Sequence, residues 1–242
     1  MDEGNSRLKP FPTTQWSLIV RAAADDPVDR EKALAEICTL YWPPVYAFIR
    51  SRGNSPHDAE DLTQGLFAEL LGRNDFARAD ANHGRLRSYL LAAACNHLTE
   101  VHRRKHRLKR GGYDVVLAID AEVAELCCLI PEPTDDMSPD RVFERQWAIT
   151  VMEGVLTALQ ERYEKKGQGA LFQALKPFLM ATSAAPQAEL AEELGMSAQT
   201  LRVSLHRLRQ RYGELLRQTV KNTLGPQESV EEEIAHLMSA FQ

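Results

Sequence analysis

The residues best suited to metal or acid–base chemistry are histidines and clustered glutamates. His102 and His106 lie four apart, a spacing that places two imidazoles on one helical face, where they could bind zinc. No third ligand lies near them, and arginines surround both, so they are predicted to be exposed polar residues and not metal ligands. Glu192, Glu193 and the glutamates at 231–233 form local runs on helix surfaces. The sequence therefore predicts no catalytic residue, no metal and no cofactor, and a protein that is not an enzyme.

The composition is that of a folded protein with one or two domains. The chain has 242 residues, of which 44% are hydrophobic and 26% charged. No apolar run reaches the length of a membrane span, and residues 1–14 lack the apolar stretch of a signal peptide. The four cysteines form no CxxC pair. We therefore expect a cytoplasmic protein without a membrane partner or a disulfide framework.

Charge is segregated along the chain, although the net charge is only −5. Residues 85–112 contain eight Lys or Arg against one Glu, whereas residues 112–148 contain nine acidic residues against two Arg. Residues 198–217 are basic again, with five Arg and one Glu. Two basic segments separated by an acidic one indicate nucleic-acid contacts that the net charge conceals.

Apolar residues recur at helical spacing along almost the whole chain, which predicts an all-α protein. Pro43 and Pro44 are predicted to kink or break the first long helix near Tyr41, and Ser55 is predicted to cap the next. Helices are expected near 28–52, 56–71, 85–107, 142–163, 170–180, 186–194 and 198–216, with a short one beginning near Trp16.

The segment AELAEELGMSAQTLRVSLHRLRQRY, residues 188–212, has the pattern of a helix-turn-helix. Ala191 is small where the two helices would cross, Gly195 lies at the turn and Ser197 can cap the second helix. Such a helix can present one face to the major groove, where arginine pairs with guanine and glutamine with adenine. The candidate DNA-reading residues are Gln199, Arg202, Val203, His206 and Arg207.

Several further segments resemble one family. TTQWSLIVRAA, LYWPPVYAFIRSRG, DAEDLTQ, GRLRSYLLAAACNHLTEVHRRKHR and KRGG are similar to the polymerase-binding and promoter-melting domain of extracytoplasmic-function (ECF) sigma factors. The bihelical segment resembles the family's second domain, which reads the minus-thirty-five element. The two resemblances cover residues 13–112 and 142–217, in the family's order.

The resemblance implies two small helical domains joined by an acidic linker, with the helix-turn-helix in the second. Residues 1–112 would bind polymerase and melt the minus-ten element, 113–140 would be the linker, 141–225 would read the minus-thirty-five element, and 226–242 would form an amphipathic tail. The implied partners are core RNA polymerase, through the clamp helices of its largest subunit, and promoter DNA; an anti-sigma factor is a further candidate.

The resemblance also assigns residues to these roles. The polymerase-binding residues would be Asp58, Asp61, Leu62 and Gln64. The DNA-binding residues of the first domain would be Asn82, His83, Arg85, Arg87, Asn96, Arg103, Arg104 and Lys105.

Two questions stay open at the level of sequence. A stand-alone helix-turn-helix regulator, which binds operators without polymerase, is the alternative function. In the tail, an apolar stripe predicts a short helix that completes the core of the C-terminal domain. The alternative is that this helix also covers part of the basic recognition helix or its polymerase-facing surface, which would make the protein partly self-inhibited. The stripe consists of Val230, Ile234, Leu237, Met238 and Phe241.

Overall fold

The computed structural model describes residues 26–72, 85–108, 137–179, 186–224 and 228–241. These residues form helices and turns without a strand, which confirms the prediction of an all-α protein for this part of the chain. None of their helices combines the length and apolar character needed to cross a bilayer. The predicted helix near Trp16 and most of the predicted acidic linker lie outside the described residues.

Eight α-helices and one 3-10 turn make up the described fold. They are α1 (Pro27–Ser51), α2 (Pro56–Gly72), α3 (Leu86–Leu108), α4 (Pro139–Glu164), α5 (Gly169–Leu175), the 3-10 turn Lys176–Phe178, α6 (Pro186–Glu193), α7 (Ala198–Lys221) and α8 (Val230–Ser239).

Local capping rules account for where α1 and α2 begin. The Asp26 side chain accepts a hydrogen bond from the Val28 amide over 3.0 Å, and Pro27 occupies the first turn of α1. Ser55 accepts from the Asp58 amide over 3.1 Å and donates to the Asp58 carboxylate, so the predicted cap of α2 is present.

A kink or a break was predicted at Pro43 and Pro44, and the break is wrong, because α1 continues through both prolines to Ser51. Each proline removes one backbone donor, a loss that normally interrupts a helix. Here, however, every residue from Leu40 to Ile49 is buried. The packing of this buried stretch stabilises the helix more than the lost hydrogen bonds destabilise it.

Residue contacts divide the chain into two compact units. Of the described residues, the C-terminal unit contains 151–179 and 186–221, and the N-terminal unit contains 26–72, 85–108, 137–150, 222–224 and 228–241. Helix α8 therefore belongs to the unit of α1, α2 and α3, and not to the unit of α7. The contacts thus differ from the expectation that the tail completes the C-terminal core or covers the recognition helix.

Aromatic pairs mark the core of the N-terminal unit. Trp42 stacks on Phe67 at a centroid distance of 5.5 Å, and Phe48 meets Phe143 edge-to-face at 6.5 Å. Phe143 lies in the first turns of α4. Residues 139–150 are therefore part of this core.

Candidate nucleic-acid interface

The turn between α6 and α7 has a complete helix C-cap. Gly195 has φ of 61°, the left-handed conformation that glycine adopts most readily. Its amide donates to the Glu192 carbonyl over 3.0 Å, and the Met196 amide donates to the Ala191 carbonyl over 2.9 Å. Ser197 then accepts from the Thr200 amide over 3.1 Å and caps the start of α7. Two caps within five residues fix the direction in which α7 leaves α6.

Helix α7 has one buried and one exposed face. Its buried positions recur every three or four residues from Leu201 to Thr219, as expected for an amphipathic helix. All five predicted DNA-reading side chains lie on the exposed face, and 37% of the Val203 side chain is accessible. These residues are Gln199, Arg202, Val203, His206 and Arg207.

Two further arginines of α7 contact the protein itself. Arg209 donates from Nη2 to the Phe178 carbonyl over 2.8 Å and from Nε to the Leu179 carbonyl over 3.3 Å. The Arg211 guanidinium lies 5.6 Å from the Tyr163 ring centroid and donates to its hydroxyl over 3.2 Å. The positive charge of residues 198–217 is therefore divided between an exposed face and anchors within the unit, a division that charge counting alone could not reveal.

The candidate polymerase-binding residues on α2 differ in exposure. Asp58 and Asp61 are exposed, Gln64 is half-buried, and Leu62 is buried in the N-terminal unit. Leu62 turns inward because consecutive residues of a helix point about 100° apart, which directs it away from the exposed side of Asp61. The exposed acidic face of α2 therefore consists of Asp58 and Asp61.

A close approach joins α2 to α3. The His97 ring lies against Gly65, where an added Cβ would be 3.3 Å from its Nε2. His97 Nδ1 is also 2.9 Å from Glu69 Oε2. The glycine thus leaves space for a histidine that links the two helices, a contact that the sequence analysis missed.

The predicted DNA-binding residues of α3 lie on opposite faces. Asn96, Arg103 and Arg104 are exposed, whereas 3% of Arg87 is accessible. Arg87 precedes Asn96 by nine residues, about two and a half helical turns, which places their side chains on opposite faces. Asn82, His83 and the side chain of Lys105 lie outside the described residues.

Arg85 and Arg87 belong to what we term the arginine–glutamate cluster, which also contains Glu144, Glu228 and Glu233. Glu233 of α8 is fully buried and pairs with both arginines: Arg85 Nη1 lies 2.9 Å from its Oε2, Arg87 Nη2 lies 3.3 Å from the same oxygen, and Arg87 Nη1 donates to Oε1. Arg85 Nε also lies 2.7 Å from Glu228 Oε1.

Arg87 also contacts two residues of α4. Its Nε lies 3.1 Å from Glu144 Oε2, and its guanidinium lies 4.4 Å from the Trp147 ring centroid. Burial lowers the pKa of Arg87, an effect that the charge of Glu144 opposes. The contacts of Arg87 therefore join α3 to both α4 and α8.

Cys38, which is half-buried, and Tyr212, which is buried, are acids whose charged form is an anion, so the loss of solvent shifts their pKa upwards. Burial raises the pKa of the Cys38 thiol to about 12. Burial also raises the pKa of Tyr212 to about 12, and within the described chain the Tyr212 hydroxyl has no hydrogen-bond partner. Neither group has the lowered pKa expected of a nucleophile.

The described residues contain no cluster of three or more His, Cys, Asp or Glu that could hold a metal ion. In comparisons with known proteins, the chain matches no family model, no curated protein and no solved structure.

Proposed function

We propose that this chain is a sigma factor of the ECF type, which binds core RNA polymerase, recognises the minus-ten and minus-thirty-five elements and helps to open promoter DNA. The observation that carries the proposal is the exposed face of α7, where Gln199, Arg202, Val203, His206 and Arg207 lie together on a helix oriented by two adjacent caps. The segments that resemble the family also occur in the family's order, with the polymerase-binding domain before the helix-turn-helix.

In the proposed mechanism, α7 enters the major groove of the minus-thirty-five element. Arg202 and Arg207 provide guanidinium donors for guanine edges or phosphates, while Gln199 provides an amide suited to adenine. A base-contacting arginine contributes about 1–3 kcal/mol of discrimination. The chain performs no covalent chemistry in this mechanism, because the polymerase forms the phosphodiester bonds.

The N-terminal unit would contact both polymerase and DNA. Asp58 and Asp61 present carboxylates to a basic surface of polymerase. On α3, the exposed residues Asn96, Arg103 and Arg104 are available for the phosphates of separated strands. Arg104 lies 3.2 Å from Glu100 Oε1, an exposed pair of a kind that contributes little stability and can exchange for a phosphate.

One observation favours the alternative of a stand-alone regulator. Arg87, which the resemblance assigns to promoter DNA, is buried and paired with Glu144 and Glu233. A regulator that binds DNA only through α7 would leave Arg87 in this structural role. The two functions differ in their need for polymerase, which supplies the decisive measurement.

The polymerase-binding half is tested by Asp61→Arg, with Glu31→Arg on α1 as the control. Both residues are exposed, and both substitutions change the charge by the same amount. We expect Asp61→Arg to abolish co-purification with core RNA polymerase because it places a cation against a basic surface, and Glu31→Arg to retain it. Equal co-purification of the two variants would contradict the assignment of α2.

The DNA-reading half is tested by Arg202→Ala, with Arg217→Ala on the same helix as the control. Both arginines are exposed, but Arg217 lies about four turns further along α7. In run-off transcription with core polymerase, Arg202→Ala should weaken promoters according to their minus-thirty-five sequence. If wild-type protein instead binds duplex DNA tightly and specifically without polymerase, the stand-alone regulator is the better description.

A further inference from the structure

The tail helix α8 supplies the only fully buried carboxylate among the described residues. Glu233 has no exposed surface and lies between the guanidinium groups of Arg85 and Arg87. Leu237, one turn further along α8, is also buried. The inward face of the tail is therefore a carboxylate and a leucine.

The tail neutralises a positive site on the N-terminal unit. Arg85 and Arg87 contribute two positive charges, and both residues belong to the basic segment 85–112. Glu228 and Glu233 from the tail region pair with them, as does Glu144. A carboxylate presents two oxygens to guanidinium donors much as a phosphate does. The tail thus supplies the kind of partner that a nucleic-acid backbone would offer to the same arginines.

Two properties of the tail favour its dissociation from the two arginines. Helix α8 has ten residues, too few to be stable alone in water, so it is helical only while it is docked. The net stability from a buried ion pair is small, because desolvation offsets much of the attraction. Exchanging one anion for another therefore costs less than exposing the arginines without a partner.

The arginine site would not collapse when the tail leaves. Arg87 keeps its contacts with Glu144 and with the Trp147 ring, neither of which belongs to α8. Both contacts come from α4, although Glu144 Oε2 also lies 3.3 Å from His236 Nε2 of α8. A second anion would consequently meet an arginine that is already positioned.

We propose that Arg85 and Arg87 form an anion-binding site that the tail occupies with Glu233, and that the phosphate backbone of single-stranded DNA competes for this site. The tail thereby weakens DNA binding by the N-terminal unit until α8 is displaced. The identity of the competing ligand rests on the proposed function, whereas the occupied arginine site does not.

The first test compares Glu233→Gln with Glu232→Gln in the full-length chain. Glu232 is exposed on the same helix, so both variants lose one negative charge but only one loses the buried carboxylate. The measurement is fluorescence anisotropy with a labelled single-stranded DNA oligonucleotide over a range of salt concentrations. Glu233→Gln should bind on the order of tenfold more tightly than Glu232→Gln. The slope of log K against log salt should steepen by about 0.7 for each phosphate gained. Equal binding by two folded variants would overturn the proposal.

The second test uses wild-type protein, since Glu233→Gln leaves the buried Arg87 and the half-buried Arg85 with one carboxylate fewer and could destabilise the unit. Hydrogen exchange of the amides of residues 230–239 is measured with and without saturating oligonucleotide. Displacement of α8 predicts faster exchange in the presence of DNA. Unchanged or slower exchange at saturation would overturn the proposal.

Failure of this inference can be distinguished from failure of the proposed function. If the protein fails to bind core polymerase but DNA accelerates exchange in the tail, the sigma-factor assignment fails and the arginine site stands. If polymerase-dependent transcription proceeds but DNA leaves tail exchange unchanged, the inference fails and the proposed function stands.

Discussion

Substituting alanine for two glycines of the C-terminal unit should change its stability in opposite directions. Gly195 has φ of 61° in the turn before α7, and an added Cβ there would meet no atom within 4 Å. The cost of Gly195→Ala is therefore that of the backbone conformation alone, about 1–2 kcal/mol. Gly213 lies inside α7, where its added Cβ would be 3.4 Å from Arg217 Nη1.

The contact at Gly213 is with the far end of an exposed, flexible side chain, which can move aside. Gly213→Ala should therefore gain the helix propensity of alanine, about 1 kcal/mol. The free energies of unfolding of the two variants should differ by about 2–3 kcal/mol. The free energy of unfolding of Gly195→Asn should lie between those of Gly195→Ala and the wild type, because asparagine tolerates the left-handed region better than alanine.

The assay is thermal unfolding of the full-length variants, followed by circular dichroism at 222 nm. In a domain of this size, 1 kcal/mol shifts Tm by about 4–8 °C. We therefore expect the transition of the C-terminal unit to fall by at least about 4 °C in Gly195→Ala and to rise by a similar amount in Gly213→Ala. If Gly195→Ala melts with the wild type, the turn does not impose the left-handed conformation, and the geometry described for the entry into α7 is refuted.

Two further predictions concern Cys38 and Tyr212. Cys38 is half-buried, and burial raises its pKa to about 12. It should therefore react with a thiol reagent at pH 8 much more slowly in the native protein than after denaturation, because little thiolate is present. Equal rates at Cys38 in native and denatured protein, located by peptide mapping, would contradict the raised pKa. Tyr212 has a folded pKa of about 12 against about 10 unfolded, so its contribution to stability is present below pH 10 and is lost as the pH rises towards 12. The urea midpoint of the wild type should consequently decrease as the pH is raised from 9.5 to 11. The decrease should be smaller in Tyr212→Phe, which also removes a hydroxyl that lacks a partner. Parallel curves for the two proteins would show that the pKa of Tyr212 does not change on folding.

Local physical rules predict much of this fold. Ser55 and Ser197 are recognisable caps because the signal is a short-range pattern of residue types, and the faces of α7 follow from apolar spacing. The same local rules failed at Pro43 and Pro44. The penalty for proline depends on neighbouring residues in the sequence, whereas the burial that overcomes it depends on residues distant in the chain.

The tail shows a different limit. The apolar stripe that the sequence predicts consists of Val230, Ile234, Leu237, Met238 and Phe241. In the structure Leu237 is buried, while Met238 and Phe241 are 46% and 42% exposed. The other buried position is Glu233, whose partner Arg87 is 146 residues away. Pairing over such a distance leaves no periodic signal, so an inward glutamate could not be distinguished from its exposed neighbours.

Helical spacing predicts some features of the candidate site but not others. That Arg202 and Arg207 face outward follows from helical spacing, and so does the exposure of Asp61. The spacing of Arg87 and Asn96 already placed them on opposite faces of α3, although it could not say which face is buried. The identity of the buried face depends on α4 and α8, which are remote in sequence.

The close fit of His97 against Gly65 has a mechanical consequence. The imidazole lies against Gly65, and its Nδ1 is 2.9 Å from Glu69 Oε2, one turn further along α2. Sliding α2 along α3 would move Gly65 away from the ring and break the contact with Glu69. The glycine–histidine contact therefore favours one axial register of the two helices.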